Sequence, residues 1–184
     1  LALGIYGLFG YHFLLFLAFR TAPAVQANLV NYLWPLLIVV LAPLFHKHSR
    51  LHLRQVLAAL AGLTGAVLVM TNGQVMLVDF NLGYLAALAS AFIWATYSLM
   101  TQRVAAFHTA AIGSFGFVSG ILSLLCHFLL ETPVAISWSD AGLLTWMGLG
   151  PLGLAFYVWD AALKNGNAQH IGLLSFLTPL CSTL

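Results

Sequence analysis

The chain has 184 residues, of which 62% are hydrophobic and 5% are Asp, Glu, Lys or Arg, with a formal net charge of +2. A soluble domain carries about 25% charged residues, so six basic and four acidic side chains argue against a soluble globule, a disordered chain or a nucleic-acid binder. The apolar residues come in long runs, which makes lipid the solvent for most of the chain.

The first residue is Leu1, and the opening run lacks the basic start and cleavage site of a signal peptide. The last run reaches Leu184 without a polar flank, so both ends are expected to be cuts within a longer membrane protein. A bilayer-crossing helix needs about 20 apolar residues, and seven runs of about that length follow one another, near 1–19, 22–45, 53–71, 82–102, 109–130, 141–163 and 168–184. Barrel strands are shorter and alternate. The expected fold class is therefore an all-α integral membrane protein. Lys47, Arg50, Arg54, Arg103 and Lys164 fall on one side under strict alternation, and the positive-inside rule makes that side cytoplasmic. Asp79, Glu131 and Asp140 fall on the other, where Arg20 is the exception.

In the first span Gly4, Gly7 and Tyr11 form a stripe, with His12 beside it as hydrogen-bonded packing or as a proton relay. In the second, Asn28, Asn31, Tyr32 and Pro35 fall within about 100° of arc at helical spacing. Two amides are costly against lipid, and Pro35 interrupts the backbone ladder. This face reads either as a cavity wall with a hinge or as interhelical hydrogen-bond glue. The loop holding His46, His48 and His52 has no carboxylate or thiolate beside it and reads as solvated basic loop, so no metal is expected.

The third span carries the small residues Ala58, Gly62 and Ala66, and the fifth carries Gly113, Gly116, Gly120, Ser123 and His127; both stripes read as close helix packing. In the fourth, Ser90, Trp94, Tyr97 and Thr101 line one stripe. Such rings are interfacial anchors or a stacking face for a flat amphipathic ligand; Trp94 lies near mid-span, which weakens the first reading for it. In the sixth, Gly153, Tyr157, Asp160 and Lys164 share a face, with Phe156 and Trp159 beside it. Asp160 is the one acidic residue inside a span, either functional or half of a snorkelling pair with Lys164. Cys126 and Cys181 lie inside apolar runs without CxxC spacing and read as packing residues.

Laying Pro35 over Pro179 aligns RTAPAVQANLVNYLWPL with KNGNAQHIGLLSFLTPL. Arg20 then meets Lys164, Ala24 meets Ala168, Tyr32 meets Phe176 and Leu33 meets Leu177. The two copies are five spans apart, an odd number, so they would lie in opposite orientations. Inverted repeats are an architecture of secondary transporters, with the substrate site near the midplane between repeats.

The blocks NYLWP at Asn31–Pro35, AFIWATY at Ala91–Tyr97, the Trp159-Asp160 pair, NGN at Asn165–Asn167 and SFLTPLCST at Ser175–Thr183 together resemble the EamA-type carriers of the drug/metabolite transporter superfamily. Within these the chain looks like the bacterial aromatic amino-acid exporters. The resemblance implies ten helices in two inverted five-helix repeats, of which this chain is a seven-span fragment: 1–71 the last three helices of the first repeat and 82–184 the first four of the second. It implies a substrate cavity lined by Tyr11, Asn31, Tyr32, Trp34, Trp94, Tyr97, Tyr157, Trp159 and Thr178, to which the helical face adds Asn28, with hinges at Pro35 and Pro179. Asp160, as a carboxylate within a span, is a candidate proton or cation site; many relatives carry a neutral amide there, a departure that bears on substrate preference.

The expected function is export of amino acids, foremost aromatic ones, or similar amphipathic metabolites across the bacterial inner membrane by alternating access. The alternative is the same fold carrying another cargo such as a cationic drug. A seven-helix receptor or intramembrane enzyme is a remote reading: HExxH and GxSxG are absent, and the last span has no lysine for a retinal. No catalytic residue, cofactor or nucleic-acid partner is expected; the partners are a small-molecule substrate and the lipid bilayer. The sequence is silent on oligomeric state and on energy coupling.

Overall fold

Backbone polar groups in lipid must be satisfied within the protein, and the chain does this with helices. The computed structural model describes residues 1–46, 49–74, 81–103, 107–132 and 134–182. Lys47, His48, Asp79 and Thr183, used above, lie outside them. Five helices are long and apolar enough to cross a bilayer: α2 (Ala24–Phe45), α3 (Leu53–Thr71), α4 (Gly83–Thr101), α5 (Ala111–Leu130) and α6 (Trp138–Asn165). The first and last runs are also helical, but in segments. A π-helical stretch, Gly4–Gly10, leads into α1 (Tyr11–Thr21). The last run is α7 (Ala168–Leu174), a 3-10 turn Ser175–Leu177, and α8 (Thr178–Ser182).

Local chemistry sets the ends. Pro23 stands at the N-cap of α2. His52 and Gln55 form a reciprocal cap on α3, which ends with Asn72 and Gly73 at positive φ of 50° and 71°; that left-handed exit is the usual helix stop. Ser137 and Asp140 cap α6. The Asn167 side chain caps α7 by accepting from the backbone N–H groups of Gln169 and His170.

Segment boundaries recur 144 positions apart. Gly4–Gly10 is π-helical and precedes Tyr11–Thr21; 144 positions on, Gly150–Leu154 is π-helical and precedes the α-helical segment Ala155–Asn165. Within α2 the ladder breaks at Tyr32 and Leu33 and resumes at Trp34, with Pro35 next; in the last run it tightens at Ser175–Leu177 and resumes at Thr178, with Pro179 next. Pro35 and Pro179 are both buried. Their missing N–H groups fall in a first turn, where proline costs least.

The helix most enclosed is α4, whose Ala87, Ser90, Ala91, Trp94, Ala95, Tyr97, Ser98 and Leu99 are all buried. Both α1 and α2 pack on it. The segment Trp138–Leu149 of α6 buries no residue, and α5 exposes Phe117, Phe128 and Leu129, as suits a surface solvated by lipid. The two broken helices meet: Tyr32 and Phe176, paired by the repeat, pack in one cluster with Val39, Ala59 and Ala66, and Gly172 of α7 lies against Ile38 and the Pro35 carbonyl.

Several glycines pack against aromatic residues. Gly4 lies against Phe115, Gly7 against the Tyr97 ring, Gly62 against the Phe176 ring and Gly113 against the Tyr157 hydroxyl, so they receive aromatic side chains. Gly116 and Gly120 face open space, and Ala58 is exposed while Ala59 is buried. A Cβ at Gly7 overlaps the buried Tyr97 ring, so Gly7→Ala is expected to cost about 1–3 kcal/mol. Thermal unfolding in detergent checks this, with Gly116→Ala expected to melt as the wild type does.

Candidate functional site: an aromatic-walled cavity

Three tryptophans from three helices form the centre of the site. The break at Tyr32 and Leu33 ends one helical segment and starts the next at Trp34. Helical spacing puts Trp94 on the buried face of α4, and the π-helical stretch of α6 precedes Phe156 and Trp159. The ring of Trp94 lies 5.1 Å from Tyr11, 5.4 Å from Phe156 and 5.9 Å from Trp159, the last nearly parallel. Trp34 stands edge-on to Trp159 at 5.3 Å and to Trp94 at 6.4 Å. Trp159 Nε1 donates to Ser98 Oγ at 3.0 Å, which fixes its ring. These are the offset and edge-to-face geometries that aromatic quadrupoles favour.

The rings bound a cavity of about 450 Å³, with Tyr11, His12, Trp34, Trp94, Phe156 and Trp159 on one side and Met147, Leu152, Ser175 and Thr178 among the rest of the wall. That volume lies within the range of small-molecule sites. Five of the expected cavity residues are therefore on the wall: Tyr11, Trp34, Trp94, Trp159 and Thr178. Asn28, Asn31, Tyr32, Tyr97 and Tyr157 are not. The arc that gathers Asn28, Asn31, Tyr32 and Pro35 assumes a continuous helix, and the interruption breaks it.

Asn31 does the work of glue. It is buried, donates from Nδ2 to the Tyr11 hydroxyl at 3.3 Å and accepts at Oδ1 from Ser90 Oγ at 2.9 Å. It thereby ties α1, α2 and α4 together and holds the Tyr11 hydroxyl at the wall. Tyr32 packs toward α3 with Phe176. Tyr97 and Tyr157 lie in the cluster of Leu8, Ile112 and Phe115, behind Trp94. The residues that the sequence reading left out of the cavity are His12, Leu15, Phe16, Ala155, Phe156 and Ser175, with Met147, Pro151 and Leu152 from the middle of α6. The signal for Pro151 and Leu152 was the GLGPLG run at 148–153, which interrupts an apolar span with glycine and proline.

The two ends of the molecule are closed differently. At one end Glu131 takes Arg20 at 2.7 Å and His127 at 2.6 Å, all exposed. The His127 hydrogen bond, with the Arg20 charge behind it, holds the Glu131 carboxyl below its ordinary value, so this link is in place at neutral pH and is lost as pH falls through that depressed value. At the other end, the one rich in basic residues, the buried Gln169 side chain accepts from Ser49 Oγ at 3.1 Å and Gln55 Nε2 at 3.3 Å. It donates to the Val39 and Arg50 carbonyls, each at 3.3 Å. Gln102 donates to the carbonyls of Leu163 and Gly166. Asp160 is buried near this end, paired with Lys164 and off the cavity wall; it does not snorkel.

A sequence profile of the EamA-like transporter family matches residues 1–71 and 81–184. The chain is 42% identical over 184 residues to the aromatic amino acid exporter YddG of Ancylobacter novellus, covering 98% of this chain and 64% of that protein. It is 29% identical over 167 residues to the aromatic amino acid exporter YddG of Salmonella typhimurium, covering 87% of this chain and 57% of that protein. A solved crystal structure matches with a TM-score of 0.90 at 41% identity, over 98% of this chain and 63% of that one. The chain thus spans less than two thirds of the length of each of these relatives.

Asn31→Ala removes a shared partner from Tyr11 and Ser90 and is expected to cost about 1–3 kcal/mol. Trp94→Ala, which empties the centre of the ring cluster, is expected to cost about 3–5 kcal/mol. Denaturant titration of the detergent-solubilised protein measures both.

Proposed function

The chain belongs to the EamA-like transporter family, and from that premise we propose that the protein is a secondary carrier of the bacterial inner membrane that exports aromatic amino acids or close amphipathic metabolites. The observation that carries this reading is the cavity walled by Trp34, Trp94 and Trp159, with the hydroxyl-bearing residues Tyr11, Ser175 and Thr178 also lining it. Rings dock an aromatic side chain through stacking and edge contacts, and a few placed hydroxyls orient the polar end. Two relatives carrying the printed name of aromatic amino acid exporter support the same cargo. Export is noncovalent, so the protein is a carrier and not an enzyme. A cationic-drug cargo has less behind it, because the relatives with a named cargo are aromatic amino acid exporters.

In this reading residues 1–71 and 82–184 belong to two repeats of opposite orientation, with the cavity between them. The recurrence of π-helical stretch, α-helix and proline-marked break 144 positions apart supports it. The breaks at Pro35 and Pro179 are the hinges, since discontinuous helices are where such carriers bind and bend.

Reconstituted full-length protein is expected to take labelled phenylalanine into liposomes faster when they are preloaded with unlabelled phenylalanine. Trp34→Ala and Trp159→Ala are expected to raise the apparent KM roughly three- to tenfold. Uptake by well-inserted protein that is indifferent to both variants contradicts the cavity assignment, and uptake indifferent to preload contradicts the carrier cycle.

A further inference from the structure

The buried ion pair at the basic end of α6 has a chemistry that the aromatic cavity lacks. The described wall of that cavity carries rings, hydroxyls and His12 but no Asp, Glu, Lys or Arg. An amino acid brings two charges, and neither has a counterpart there. Asp160 is 2% exposed. Lys164 Nζ lies 2.6 Å from its Oδ2, yet off the directions of a hydrogen bond, and neither carboxylate oxygen has a hydrogen-bond donor among the described residues. A buried carboxylate needs more than one off-axis cation, because its desolvation is repaid only when its oxygens are hydrogen-bonded.

Lys164 is in the opposite situation. Its ammonium donates to the Phe107 carbonyl at 2.8 Å and to Thr109 Oγ1 at 3.3 Å, and sits 3.9 Å over the Phe107 ring. It keeps three partners if it leaves the carboxylate. A second cavity, of about 620 Å³, opens at this end and is lined by Lys164, Leu163, Phe107, Gln102 and Thr101. Along α6, Asp160 stands between Leu163 and Lys164, which line this vestibule, and Trp159, which lines the aromatic cavity.

We propose that Asp160 receives the primary ammonium group of the cargo as it enters from the cytoplasmic end, and that Lys164 is a tethered cation holding the carboxylate until the cargo displaces it toward Phe107 and Thr109. One ammonium replaces another, so the buried carboxylate is never left uncompensated. The identity of the cargo as an amino acid rests on the function proposed above; the ammonium site itself rests on Asp160 and Lys164.

The test is a binding titration of full-length protein in detergent, read by tryptophan fluorescence, with three probes. Phenethylamine carries only the ammonium, 3-phenylpropionate only the carboxylate, and phenylalanine both. Asp160→Asn is expected to weaken phenethylamine and phenylalanine roughly tenfold or more and to leave 3-phenylpropionate unchanged. Lys164→Met, which removes the competitor, is expected to tighten phenethylamine. The double variant Asp160→Asn with Lys164→Met leaves no unpaired charge, so it separates loss of binding from loss of folding, and it is expected to show the same weakening. Wild-type affinity for phenethylamine in either Asp160→Asn protein overturns the proposal, as does wild-type protein that ignores phenethylamine. Asp160-dependent binding of phenethylamine without binding of phenylalanine upholds the ammonium site and overturns the amino-acid cargo. Phenylalanine binding that survives Asp160→Asn does the reverse.

Discussion

A helix broken inside lipid must bury its break, and the rest of this structure is arranged around two of them. Unpaired carbonyl and N–H groups at membrane depth are tolerated only where protein or water covers them. The break at Tyr32 and Leu33 and the turn at Ser175–Leu177 lie on helices that pack against one another, with Tyr32 and Phe176 sharing one cluster over Ala59, Ala66 and Gly62 of α3. The residues that follow each break, Trp34 and Thr178, are those that reach the aromatic cavity. The same local chemistry that covers the backbone thus aims side chains at the site, and Asn31, one residue ahead of the first break, clamps Tyr11 and Ser90 in place.

Much of this is legible in the residues. Run lengths give the helices, and the two prolines that align in sequence each follow an interruption of a helix. Trp94, near mid-span in sequence, is buried in the structure. What periodicity does not give is the neighbour on the other side of a face. Tyr97 shares a stripe with Trp94 in sequence but turns its ring to Gly7, and Tyr157 turns its hydroxyl to Gly113. A glycine read as room for a backbone is here room for a ring. The arc from Asn28 to Pro35 presupposes a continuous helix, whereas the ladder stops at Tyr32 and Leu33.

The polar groups are distributed with the same economy. The exposed Arg20–Glu131 link at one end is screened and contributes little to stability. At the other end Gln169 makes four hydrogen bonds from a buried position to Ser49, Gln55 and two carbonyls, and those are lost only if a replacement partner is found. Arg20 and Lys164 each pair with a carboxylate, but Glu131 is exposed and Asp160 is buried. That difference in burial separates a surface link from a site with unmet hydrogen-bonding capacity.

The central claim is that the space bounded by Trp34, Trp94 and Trp159 is where the cargo's ring binds. A structure of the full-length protein determined with saturating phenylalanine addresses it most directly. The account predicts ligand density in that cavity, with the ring against Trp94 or Trp159 and the polar end toward Tyr11, Ser175 or Thr178. An empty cavity at saturation, or a ligand bound only elsewhere on the protein, contradicts it.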